Sequence, residues 1–159
     1  MTILHFEATA PVNPPDASPV LTQAQLWAGL QRKVRHANEF VPPITSCTVE
    51  KEEGNVVHRR VVFNGTKEMT EVCTELAPHK VEFTLEDGSE VENIIGSGPS
   101  GKADELYLTY SFKWKLPGVE DGSDEAKEAL AKQQQMSAGA VTSSLAAIRA
   151  MVSDGRIKA

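Results

Sequence analysis

Four polar side chains fall in step with the apolar residues of strand-like segments: Arg59, Thr74, Asn93 and Tyr110. Strand side chains alternate between two faces, so each would point the way its apolar neighbours point. A polar group buried in this way costs free energy unless it is hydrogen-bonded. An inward Arg59 therefore requires an acceptor, either a carboxylate or a ligand; a slipped register or a side chain snorkelling at the rim would relieve the same demand. Asn93 and Tyr110 suit ordinary internal hydrogen bonds or contact with a bound molecule. With a carbonyl substrate, Arg59, Asn93 or Tyr110 would bind a developing enolate or carbonyl oxygen. Glu71 or a histidine would move the proton. Strict alternation puts Glu71 on the outer face, and a bulge near Met69 would turn it inward. Arg59, Glu71, Asn93 and Tyr110 are the candidate catalytic groups.

Other chemistries find little support. His5, His36, His58 and His79 show no metal-binding spacing, and none pairs with a cysteine in a zinc pattern. Cys47 and Cys73 stand alone, so free core thiols are expected. Gly96, Gly98 and Gly101 spell G-x-G-x-x-G, but a strand-like run, ELYLTYSFKW, follows where a dinucleotide site needs a helix. Pro99 also removes an amide donor, so a hairpin loop is expected. Neither a metal nor a cofactor is implied.

The elements that would position these groups can be read from the same pattern. Residues 2–10 alternate as a strand, and the four prolines from Pro11 to Pro19 form a connector. Thr22 with Gln25 makes a capping box. Leu26, Trp27, Leu30 and Val34 give the following helix one apolar face. A second short helix fits around Arg35–Phe40. From Ile44 the period becomes two, and six strands are expected: 44–53, 55–64, 67–77, 79–86, 89–96 and 105–116. Asn64-Gly65 and Asp87-Gly88 are hairpin turns, so the strands should form an antiparallel meander. After Pro117-Gly118, Ser123 or Asp124 caps a helix of about 30 residues, roughly 45 Å long. It must cross a domain of this size, one unit over 1–159.

The apolar inner set is Val57, Val61 and Phe63; Val72 and Leu76; Val81, Phe83 and Leu85; Val91 and Ile95; and Leu106, Leu108, Tyr110, Phe112 and Trp114. The last helix faces it with Leu130, Val141, Leu145, Ile148 and Val152. Between these lie Ser137, Ala138, Gly139 and Ala140, which are small, so a space is expected under the middle of the helix. Expected ligand contacts are Val57, Val61, Phe63, Val72, Thr74, Phe83, Val91, Ile95, Leu108, Phe112, Trp114 and Val141.

The net charge of −6 disfavours nucleic acid and anionic membrane surfaces as partners. No signal-peptide pattern and no run of about 20 apolar residues is present, so a cytoplasmic monomer or homodimer is expected.

The segment LYLTYSFKWKLPGVEDGS (106–123) resembles the last-strand signature of the AtaL-like proteins, within the START-like or SRPBCC superfamily that also holds polyketide cyclases and birch-pollen-allergen-like carriers. RRVVFNG (59–65), TEVCTE (70–75), HKVEF (79–83) and Val91–Ile95 follow in that family's order. The resemblance spans nearly the whole chain. It implies an α+β helix-grip fold, with a seven-stranded curved antiparallel sheet wrapped around a long C-terminal helix and one or two short helices after the first strand. It also implies a cavity between sheet and helix. At residue level it carries over only Arg59, Glu71, Asn93 and the strand from Thr109 to Trp114. Lys113 and Lys115 stand where acidic or arginine residues are common in relatives. Members occur in fungal specialised-metabolite clusters and in bacteria. Three functions follow as expectations: a cyclase, dehydratase or isomerase acting on a small hydrophobic metabolite, a carrier of such a metabolite, or an interaction module using Trp27 and Trp114.

Overall fold

The structure is a computed structural model covering residues 1–159. Strand β1 (Thr2–Pro11) leads through the proline connector to helix α1 (Gln23–Arg35) and a 3₁₀ turn at Ala37–Glu39. Six strands follow: β2 (Ile44–Glu53), β3 (Val56–Phe63), β4 (Lys67–Leu76), β5 (Lys80–Leu85), β6 (Glu90–Ser97) and β7 (Leu106–Leu116). Helix α2 (Asp124–Ser153) completes the chain. All strands lie in one antiparallel sheet, ordered β1-β7-β6-β5-β4-β3-β2.

Local chemistry sets these boundaries. The capping box forms: Gln25 N donates to Thr22 Oγ1 at 3.1 Å, and Thr22 N donates to Gln25 Oε1 at 2.9 Å. At the β3–β4 hairpin, Asn64 and Gly65 both adopt positive φ, 51° and 74°. Two such residues match the twist of the flanking strands. Ser123 caps α2, accepting from Ala126 N at 3.2 Å. Two register shifts in β2 mark bulges at the sheet edge. The GSGPSG segment is the β6–β7 hairpin loop, closed by Glu105, whose carboxylate accepts from Ser100 N at 2.7 Å.

Helix α2 packs mainly along β1. It buries Val141, Ser144, Leu145, Ile148 and Met151. Arg149 ties it to the connector by donating to the carbonyls of Val12 and Pro19. Helix α1 is clamped beside it: a Cβ built on Gly29 would lie 2.6 Å from Ile148 Cγ1. Only glycine allows that approach.

One strand face differs from expectation. On β4 the buried residues are Met69, Glu71, Cys73 and Glu75, whereas Val72 and Thr74 are half-buried and Leu76 is exposed on the other face. The β3–β4 register is regular, pairing Val57 with Cys73, Arg59 with Glu71 and Val61 with Met69. No bulge near Met69 is needed. The apolar pattern misleads because two inward positions are glutamates, each neutralised by an arginine: Arg59 for Glu71 and Arg35 for Glu75.

Candidate functional site

The concave face of the sheet carries a buried polar cluster built from α1, four strands and α2. Its centre is Lys33, on the inner side of the last turn of α1 and only 7% exposed. Leu26, Leu30 and Val34 share that side. Lys33 Nζ donates to Asn93 Oδ1 at 2.8 Å. It lies over the rings of Phe83 and Tyr110, 4.9 and 4.7 Å from their centroids. No carboxylate forms an ion pair with it. Desolvation, and then the Arg59 charge, lower its pKa to about 7, against partial opposition from Glu71 and Cys73.

Arg59 and Glu71 form the second part of the cluster. Their side chains are 5% and 6% exposed. Arg59 Nε donates to Glu71 Oε2 at 2.8 Å, and a second short bond joins Nη2 to the same oxygen. Nη1 donates to the carbonyls of Lys33 and Val34 at 3.0 and 2.9 Å, which satisfies the open C-terminal end of α1. The guanidinium also stacks over Phe83, 5.1 Å from its centroid. Burial disfavours the Arg59 charge, but Glu71, with smaller contributions from Cys73 and Cys47, outweighs it and the pKa is raised. Arg59 therefore spends its donors on Glu71 and on the helix that carries Lys33.

Asn93 and Tyr110 make up the third part. They are directly paired across β6 and β7 and are 0% and 2% exposed. Asn93 Nδ2 and Tyr110 Oη are buried with no hydrogen-bond partner. Burial raises the Tyr110 pKa; the Ser144 hydroxyl of α2 lies near enough to oppose the shift but outside hydrogen-bonding geometry. Two unpartnered donors at facing positions could grip one oxygen of a bound molecule. Cys73, in the same layer, is pushed up to about 12 by burial and so stays a thiol.

The structure gathers Arg59, Glu71, Asn93 and Tyr110 on one face, with Val57, Val61, Phe83, Ile95 and Leu108 buried around them. Val91, Phe112 and Trp114 share that face but are half-buried, as is Phe63. Val141 faces it from α2. Val72 and Thr74 lie on the opposite face and do not join the cluster. Lys33 was missed, although its place three residues after Leu30 and seven after Leu26 put it on the apolar side of α1.

Two hollows lie elsewhere in the molecule. A cleft of about 390 Å³ opens between Val20–Gln23 and the β6–β7 loop. A groove of about 410 Å³ crosses β2–β5 beside His58, Thr70 and Glu86. Neither of these is the space expected beneath α2, which packs mainly along β1. Solvent reaches the concave face at the Phe112–Trp114 end instead. There β1 places Phe6 and Leu4 opposite Phe112 and Trp114; the β1 pair is buried, and Phe6 stacks on Phe112 at 4.6 Å. No helix is long and apolar enough to cross a membrane.

A curved antiparallel sheet with a long C-terminal helix across its concave side defines the helix-grip class. The chain belongs to the family described as acetylaranotin biosynthesis cluster protein L, whose model matches residues 6–155. The protein of that name from Aspergillus terreus is 26% identical over 152 residues, covering 94% of this chain and 90% of its own. Solved structures share the fold. The Zhui aromatase/cyclase from Streptomyces sp. R1128 superposes with a TM-score of 0.66 at 17% identity, over 95% of this chain and 96% of that one. The di-domain aromatase/cyclase StfQ of the steffimycin pathway gives 0.70 at 12%, over 97% of this chain and 52% of the di-domain. Ara h 8.0201 gives 0.59 at 13%, over 92% and 98%.

Proposed function

We propose that residues 1–159 act as one unit that holds a small, largely apolar molecule on the concave face, as a biosynthetic enzyme of the cyclase, dehydratase or isomerase type. The observation that carries this reading is the pair of unpartnered donors, Asn93 Nδ2 and Tyr110 Oη, buried side by side on the concave face. Folded proteins rarely leave such groups unpaired without a use for them. A carbonyl or enolate oxygen between the two would receive both hydrogen bonds. Val91, Phe112 and Trp114 would then cover the apolar body of the ligand. Catalysis would come from orienting a flexible intermediate and stabilising the developing oxyanion. Arg59 acts as a positioning residue, since it fixes the end of α1. Membership in a family named for a biosynthesis cluster and a fold shared with aromatase/cyclases support an enzyme of specialised metabolism. The mostly apolar face also suits a carrier that binds without chemistry.

Native mass spectrometry of freshly purified protein should reveal a co-purified small molecule that denaturation releases. Asn93→Leu and Tyr110→Phe should each weaken its retention, by up to about tenfold for one lost hydrogen bond. Retention unchanged in both variants would remove this pair from the site. Incubation with a metabolite extract then separates the two readings: a new product mass marks an enzyme, and unchanged ligand marks a carrier.

A further inference from the structure

We propose that Lys33 is a nucleophile that forms an imine with an aldehyde or ketone carbon of the bound molecule, which makes carbonyl compounds the substrate class. This rests on the ligand-binding reading above and adds a reaction to it. The geometry points this way in three respects. The amine is nine-tenths buried, lacks an ion-pair partner and keeps a single hydrogen-bond acceptor, Asn93 Oδ1. It sits against Tyr110, beside the two unpartnered donors, so a carbonyl oxygen held by Tyr110 Oη and Asn93 Nδ2 would bring its carbon to the Nζ atom. Access runs along β7, whose inward side chains pass from the buried Tyr110 to the half-exposed Phe112 and Trp114.

Charged and titratable groups facing Lys33 are Arg59 from β3, Glu71 and Cys73 from β4, and Tyr110 from β7. With one positive neighbour close by and little water, the neutral amine is well populated near pH 7. The neutral nitrogen attacks the carbonyl carbon, and the carbonyl π electrons pass to oxygen. A proton moves from nitrogen to that oxygen to give a carbinolamine. Loss of the second nitrogen proton and of the hydroxyl as water then leaves C=N. Nothing is oxidised or reduced, and water reverses the step. Once protonated, the imine acidifies the adjacent carbon, which is the activation that an intramolecular condensation or a dehydration needs.

The test uses the intact protein at pH 7.5 with decanal and sodium cyanoborohydride, followed by peptide mass mapping. Decanol, which has no carbonyl, is added in a parallel thermal-melt series. The expected result is a decyl adduct on Lys33 that forms about tenfold or more faster than adducts on exposed lysines such as Lys51, Lys67 and Lys132. Lys33→Arg should abolish the fast adduct while decanol still raises its melting temperature. Adducts confined to exposed lysines, with decanol still stabilising, would overturn the imine and leave the binding reading standing. Neither adduct nor stabilisation would overturn both. A fast adduct persisting in Lys33→Arg would also remove Lys33.

Discussion

Removing either partner of the buried Arg59–Glu71 pair strands the other charge in the protein interior. Arg59→Ala should cost about 3–5 kcal/mol in urea unfolding. The joint replacement Arg59→Met with Glu71→Leu should recover most of that loss. A loss in the double variant equal to the sum of the two single losses would show that the pair is not coupled. Lys33 gives the molecule a pH signature. Its folded pKa of about 7 lies below the ordinary 10.5, so above pH 7 the unfolded chain holds a proton that the folded one has lost. Stability must then rise with pH through that window. Cys73, raised from 9.0 to about 12, acts in the opposite sense from about pH 9, because the unfolded thiol ionises first. Tyr110 joins it at higher pH, since its raised pKa also favours the folded, protonated form. Between pH 7 and 8.5 the free energy of unfolding should therefore increase, and Lys33→Met should flatten the slope. An equal slope in that variant would contradict a buried, deprotonating lysine. Such a group is hard to read from sequence, because a lysine in the last turn of a helix looks like a solvated cation answering the helix dipole. Only its spacing from Leu26 and Leu30 gives it away.

Elements were more legible than single side chains. Strand and helix limits fall within a residue or two of their turn and cap signals, since Thr22, Asn64-Gly65 and Ser123 each fix a boundary by local hydrogen bonding or positive φ. The face of β4 was not legible. Alternation alone cannot tell which of two mixed faces is inward when the buried one carries Glu71 and Glu75, and only the partner strand's arginines decide it. Packing between α1 and α2 depends on Gly29, against which Ile148 is fully buried. Gly29→Ala should force that side chain aside and cost about 1–3 kcal/mol by urea unfolding. A neutral substitution would mean that the two helices can separate without loss.

For the molecule as a whole, the order of strands followed from short connections, and the crossing of the sheet by α2 followed from its length. The room left beneath α2 did not follow. A stripe of small residues on a helix says what it can tolerate but not which strand it will lie along. Here α2 lies mainly over β1, and Val91, Phe112 and Trp114 on the concave face stay half-buried. Binding of an apolar molecule should bury this end and raise the melting temperature, by about 2.7 kcal/mol of added stability at a hundred times Kd. The most direct measurement is a solution NMR titration of the assigned protein with decanol. Occupancy of the concave face predicts shifts concentrated at Phe112, Trp114, Tyr110 and the Asn93 side-chain amide. Shifts confined to the cleft between Val20–Gln23 and Ser97–Asp104, or none at saturating decanol, would contradict it.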